Sequence, residues 1–184
     1  MQNFLHEKQT GLTLIELVAV LAIVAVLASL VTRAGSAAIY ASRNASGLSS
    51  LMVSLMKARS TAANTEVDVV LCPSANGETC SAGYHWENGW IAFQATLTGS
   101  NRLPGEPIVQ RQEALPARVH LITSAGRTRI RFQGNGGNAG SNATFTMCDA
   151  RGPRAASAYA MANNGNLHAT ATDPTHVAQA CEGF

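Results

Sequence analysis

The sequence predicts an α+β fold in which one long N-terminal helix covers a face of an antiparallel β-sheet domain. Three observations predict it. No proline interrupts the chain from Leu12 to Asn64. Apolar residues recur through that stretch at helical spacing. After Asn64 the period changes to two, in short runs bounded by Gly, Pro or Asn. The 184 residues amount to one domain's worth of chain. Charged residues make up 13% and apolar ones 46%, which excludes a disordered polyampholyte unable to bury a core. A net charge of +2 excludes a globally basic nucleic-acid coat, which must neutralise many phosphates at once.

The first element is Leu12 to Thr32, LTLIELVAVLAIVAVLASLVT, whose only formal charge is Glu16. At ~1.5 Å per residue it reaches ~31 Å, enough for a hydrocarbon layer of ~30 Å. No later run is comparable, so residues 12–32 are expected as a single transmembrane helix. A secretory signal peptide would have a shorter apolar core and a small-x-small cleavage site. Neither that reading nor a plain signal anchor accounts for Glu16, because a carboxylate costs up to ~2.5 to 3.5 kcal/mol at the bilayer centre and less near an interface. The helix dipole offsets on the order of 0.3 to 1 kcal/mol. A neighbouring chain's N-terminal ammonium would offset more.

Residues 33–64 read as an amphipathic continuation of the helix. Leu48, Leu51, Met52, Leu55 and Met56 form one apolar stripe, with Ser46, Ser49, Ser50, Ser54 and Lys57 opposite. One continuous helix would be about 80 Å long. Gly35 and Gly47 are its weak points.

Residues 65–184 are expected as the sheet domain. Strands are expected over Glu66 to Leu71, Gly89 to Ala95, Pro107 to Gln112, Ala117 to Ile122, Arg127 to Gln133, Ala143 to Cys148, Ser157 to Ala162 and Asn166 to Ala171. The segment NGGNAGSNA after Gly134 reads as a loop too rich in Gly and Asn to pack. In RTRIRF, Arg127, Arg129 and Arg131 alternate with Thr128, Ile130 and Phe132, so a strand would line three arginines on one face. Such a row grips phosphates weakly and salt-dependently; a solvated strand face is the plainer account.

The positive-inside rule, applied to Lys8, Arg33 and Arg43, would leave the C-terminal part in the cytoplasm. Cys72, Cys80, Cys148 and Cys181, an even number in a small domain, point instead to an oxidising compartment. They permit three connectivities, of which proximity favours Cys72 with Cys80 and Cys148 with Cys181. On the chain-entropy model these loops contribute roughly 2.6 and 3.8 kcal/mol. No cysteine or histidine spacing typical of zinc occurs, so no metal and no cofactor is expected. Nor does a nucleophile elbow, P-loop or defensible carboxylate pair, so the chain is not expected to be an enzyme. His85 and Glu87 in YHWENGW read as a turn beside two buried rings rather than an acid–base pair.

Lys8 to Glu16, KQTGLTLIE, resembles the processing site of type IV prepilins and type II secretion pseudopilins. There a short polar leader, here residues 1–11, ends in Gly before an apolar helix with an early glutamate. The resemblance implies that a prepilin peptidase cuts after Gly11 and methylates the amino group of Leu12, where the family usually has Phe. It also implies that Glu16 neutralises a neighbouring subunit's N-terminus during assembly. VVLCPSANGETC, WENGWIAF, IRFQGNG, TFTMCDARG and the last cysteine together resemble the GspH/FimT group of minor pilins and pseudopilins. Some relatives carry a DNA-associated Gly-Arg-x-Arg motif near the second-last strand; here Asn163 to Thr170 reads NNGNLHAT, so that role does not transfer.

The resemblance thus implies a type IV pilin-like fold and a non-catalytic minor subunit in the assembly or tip of a type IV pilus. The alternatives are the H pseudopilin of type II secretion and a DNA-binding subunit using the Arg127, Arg129 and Arg131 row. Implied partners are other pilins or pseudopilins, the prepilin peptidase and the inner-membrane assembly machinery. The implied location is the bacterial inner membrane, with the C-terminal domain in the periplasm.

Overall fold

The computed structural model describes residues 13–96, 99, 101–138 and 140–184, except the side chains of residues 30–34. The chain divides into two compact units between Ala38 and Ile39. Helix α1, Leu14–Thr65, runs through both. In the first unit it is the only described element.

Among the described residues the second unit contains the rest of α1 and eight strands: β1 (Val69–Pro73), β2 (Trp90–Gln94), β3 (Ile108–Gln112), β4 (Val119–Thr123), β5 (Ile130–Phe132), β6 (Thr144–Asp149), β7 (Ser157–Met161) and β8 (Leu167–Thr170). A short helix α2, Pro174–Ala180, closes the chain. The strands form two antiparallel sheets rather than the single sheet expected, in the orders β3-β2-β1-β5 and β4-β6-β7-β8. Every predicted strand has a counterpart with shifted ends. β1 and β5 both begin three residues later than expected, and because β5 begins at Ile130, Arg127 and Arg129 precede it.

Leu51, Leu55, Ala58 and Ala62 of α1 pack into one core with the inner residues of both sheets, including Val69, Leu71, Phe132, Phe145 and Met147. Trp86 and Trp90 sit fully buried in it, with the Trp86 ring edge-on to Phe145 at 5.6 Å. Two satellite cores lie on the other strand faces. Val70, Cys72, Ile91 and Phe93 alternate with the inward residues of β1 and β2 and are covered from the Cys80 side. Ile122 and Cys148 are covered by Ala180, Cys181 and Val177. That is why β1 is buried at all five positions instead of alternating.

Disulfides Cys72–Cys80 and Cys148–Cys181 fasten these two covers. Gly89 permits the tight entry to β2. Its φ is +103°, and a Cβ there would approach Gln112 O to 2.6 Å.

The buried face of α1 differs from the predicted stripe. Met52 and Met56 are exposed, at 41% and 69%, whereas Ser54 is fully buried. Ser54 Oγ accepts from Trp90 Nε1 at 2.9 Å and Gln110 Nε2 at 2.8 Å, and donates to Ser50 O. A hydroxyl suits this place because both sheet-borne donors need an acceptor.

Asn138 and Ala143 of the Gly- and Asn-rich segment also pack, against expectation. Asn138 is 2% exposed; its Nδ2 donates to Ala162 O at 3.0 Å, and Ala143 enters the core. Its polar groups find partners inside the domain, which composition alone does not reveal.

Candidate assembly interface

Thr13 Oγ1 accepts the Glu16 N–H at 3.3 Å, and Leu17 N donates to Thr13 O at 3.2 Å, so Thr13 caps α1. Thr-x-x-Glu is the sequence of a capping box, which gives Glu16 a local role at the start of the helix. Among the described residues, Glu16 makes no ion pair.

Beyond it Leu14, Ile15, Leu17, Val18, Val20, Leu21, Ile23, Val24, Val26 and Leu27 are all exposed, from 51% to 81%. Their successive 100° steps cover every side of the helix. A helix apolar all round belongs inside a large core or a bilayer. Covering these side chains is worth on the order of 10 to 20 kcal/mol at ~1.5 to 3 kcal/mol for each complete burial. Among the described residues no helix is long and apolar enough to cross a membrane. The predicted span extends beyond those described residues, to Leu12 and to the side chains after Ser29. Gly11 and Leu12, the predicted processing residues, likewise lie outside the described residues.

The arginine row does not form as expected. Arg127 is exposed in the loop before β5. Arg129 Nη2 donates to Ser81 O at 3.1 Å and Asn101 Oδ1 at 2.9 Å, and Nη1 to Thr128 O at 2.7 Å. Burial pulls its pKa below the ordinary guanidinium value. Arg131 pairs with Asp68 at 2.9 Å and donates to Gly99 O. Two of the three guanidinium groups thus bind the domain's own acceptors.

His85 Nδ1 lies 2.9 Å from Glu87 Oε1, while Glu87 Oε2 accepts from Leu121 N, tying the turn to β4. Among the described residues no cluster of three or more His, Cys, Asp or Glu is arranged to hold a metal ion.

Sequence reasoning passed over the polar tie between α1 and the second sheet. Asp149, with no exposure, accepts from Arg151 Nε at 2.8 Å, Arg151 Nη2 at 2.7 Å and Asn44 Nδ2 at 2.9 Å. The Arg151 side-chain bonds dominate and, with those from the Arg151 N–H and Asn44, outweigh burial to hold Asp149 below the ordinary carboxylate value. At Glu106, burial raises the pKa. Hydrogen bonds from Leu103 and Thr96, with the charge of Arg102, outweigh it and leave the group lowered. CDARG offered the Asp–Arg signal; nothing in the sequence paired it with Asn44.

A family model described as "Type II transport protein GspH" matches residues 48–165, well over half of the chain. The chain belongs to the GspH family. A second model, the prokaryotic N-terminal methylation motif, matches residues 7–32 of this GspH-family chain, bracketing Gly11, Glu16 and most of the exposed apolar helix. The fold is similar to that of the type IV minor pilin FimU of Pseudomonas aeruginosa, with TM-scores of 0.55 and 0.52 in two crystal forms and 14% and 13% identity. Those matches cover 70% and 68% of this chain and 88% and 91% of FimU. The minor pseudopilin EpsH of the Vibrio cholerae type 2 secretion system aligns at a TM-score of 0.48 and 13% identity, over 70% of this chain and 97% of EpsH. No curated protein matches by sequence. The GspH-family chain thus has an α+β, type IV pilin-like fold.

Proposed function

We propose that this chain is a non-catalytic minor pilin of a type IV pilus, matured by cleavage after Gly11 and methylation of Leu12. Its apolar helix first lies in the bacterial inner membrane and then in the core of the fibre. The observation that carries the reading is the all-round exposure of large apolar side chains from Leu14 to Leu27, directly within the N-terminal methylation motif. These side chains are exposed in the isolated chain, and lipid or the helices of neighbouring subunits would cover them. Glu16 is then the group that meets a neighbour's N-terminal ammonium in that apolar setting.

A second reading, a pseudopilin of type II secretion, is favoured by the matching family, that of the type II transport protein GspH. Both readings share the anchor and the domain, so the test concerns the machine. Mass spectrometry of the mature chain is expected to find an N-methylated Leu12. Deleting the gene is expected to reduce surface pili and leave secretion intact. Loss of secretion with normal pili selects the second reading; an unprocessed chain rejects both. The DNA reading gains nothing from the geometry, because Arg129 and Arg131 serve the fold.

A further inference from the structure

β8 ends its sheet, and among the described residues nothing pairs with its outer edge. Ala162 N donates to Asn166 O at 2.9 Å, while Met161 N turns away from β8 to Ala143 O at 2.8 Å. In the register Met161 faces Leu167, Ala160 faces His168, Tyr159 faces Ala169 and Ala158 faces Thr170. Hydrogen bonding alternates along an antiparallel pair, so His168 and Thr170 bond to β7. The N–H and C=O groups of Leu167 and Ala169 point outward.

The other edges are closed or guarded. That of β4 is taken through Trp86 N to Leu121 O and Thr123 N to Tyr84 O. That of β5 is met by the segment after it, through Arg131 N to Ser141 Oγ and Gln133 N to Gly137 O. β3 carries the exposed charge of Arg111, a common guard against strand addition. By contrast, Leu167 to Thr172 reads LHATAT, with neither a formal charge nor a proline.

Beside this edge lies room for side chains. Leu167 packs against the main core, and a groove of about 240 Å³ runs between it and Met52, Leu55 and Met56 of α1. Met52 and Met56 are exposed, and an unbranched thioether adapts to what enters. Arg59, three residues after Met56, lies against the β7–β8 turn, where a Cβ on Gly165 would stand 3.6 Å from its Cδ. Its Nε donates to Gly136 O at 3.2 Å, which fixes a positive charge at the turn end of the groove.

We propose that the outer edge of β8 and this groove accept an extended strand from another polypeptide chain. Leu167 and Ala169 supply the main-chain hydrogen bonds, and alternate apolar side chains of the incoming strand enter between Leu167, Met52 and Met56. A carboxylate on that strand meets Arg59. An extended peptide satisfies the open backbone groups and the apolar groove together, whereas an acyl chain or a packed helix covers the groove alone.

Amide exchange of the full chain in detergent micelles, titrated with a synthetic peptide of alternating threonine and valine flanked by glutamates, tests it. Leu167 and Ala169 are expected to exchange severalfold more slowly as peptide is added, with His168 and Thr170 changing less. A glutamine-flanked peptide should bind about two- to fivefold more weakly. Ala169→Pro removes an outward N–H and spares the β7 ladder, so the unfolding midpoint should hold while the peptide no longer protects Leu167. Met56→Glu, at an exposed position, should also keep the fold and weaken the peptide. Unchanged exchange at millimolar peptide overturns the proposal, as does equal protection of Leu167 in Ala169→Pro. Protection that arises from detergent alone, or from rising protein concentration without peptide, assigns the groove to an acyl chain or a second copy and overturns it too. None of these outcomes depends on processing or on the machine served, so the pilin reading is tested separately.

Discussion

Asp149 binds Arg151 and Asn44 with no exposure to solvent, and its pKa is lowered. A carboxyl group lowered on folding stabilises fully above its unfolded value, ~3.9, and this contribution disappears as pH falls through the lower folded value. Urea midpoints should therefore fall on acidification below about pH 4, and Asp149→Asn should flatten part of that fall. Asn44→Ala should cost about 1 to 3 kcal/mol by leaving a buried acceptor short of a donor. Ser54→Ala strands two donors, Trp90 Nε1 and Gln110 Nε2, and a similar loss is expected in urea unfolding. At Gly165, φ is +77° and a Cβ would stand 2.6 Å from Phe132 Cε1. Gly165→Ala should lower the unfolding midpoint by the equivalent of about 1 to 3 kcal/mol.

Among the elements, the strands were legible because Gly, Pro and Asn punctuate short period-two runs. Their division into two sheets was not. β5 returns to β1 while β4 joins β6, and periodicity carries no information about which distant strands pair. The buried stripe of α1 was misread at Met52, Ser54 and Met56 because overlapping helical faces compete. Two donors on the facing sheet decide for the serine. Helix α2 went unseen at seven residues, although Asp173 caps it and Pro174 opens it, a start signal present in the sequence.

Replacing both Cys148 and Cys181 by Ser should release this cover. Hydrogen exchange over residues 174–181 is expected to accelerate, and unfolding free energy to fall by about 2 to 4 kcal/mol. Unchanged protection there would mean that packing of Val177 and Ala180 suffices.

For the whole molecule, the 13% charge content has two sources. One is an apolar helix exposed on every side in the isolated chain; the other is a small-residue sheet domain with covers on both outer strand faces. The candidate site was legible at Glu16 and the apolar run because a charge inside such a run is costly and therefore conspicuous. The arginine row was not, because alternation in a sequence does not show that Asp68, Ser81 and Asn101 already receive two of its members.

The central claim is that the apolar helix is an assembly surface completed by other subunits, with Glu16 as its charged contact. The most direct measurement is quantification of this chain in fibres sheared from cells carrying the wild type, Gly11→Ala or Glu16→Ala. The account predicts wild-type chain in the fibres, with both variants retained in the membrane fraction and Gly11→Ala still bearing its leader. Incorporation of either variant at the wild-type level, or a wild-type chain absent from every fibre, would contradict it.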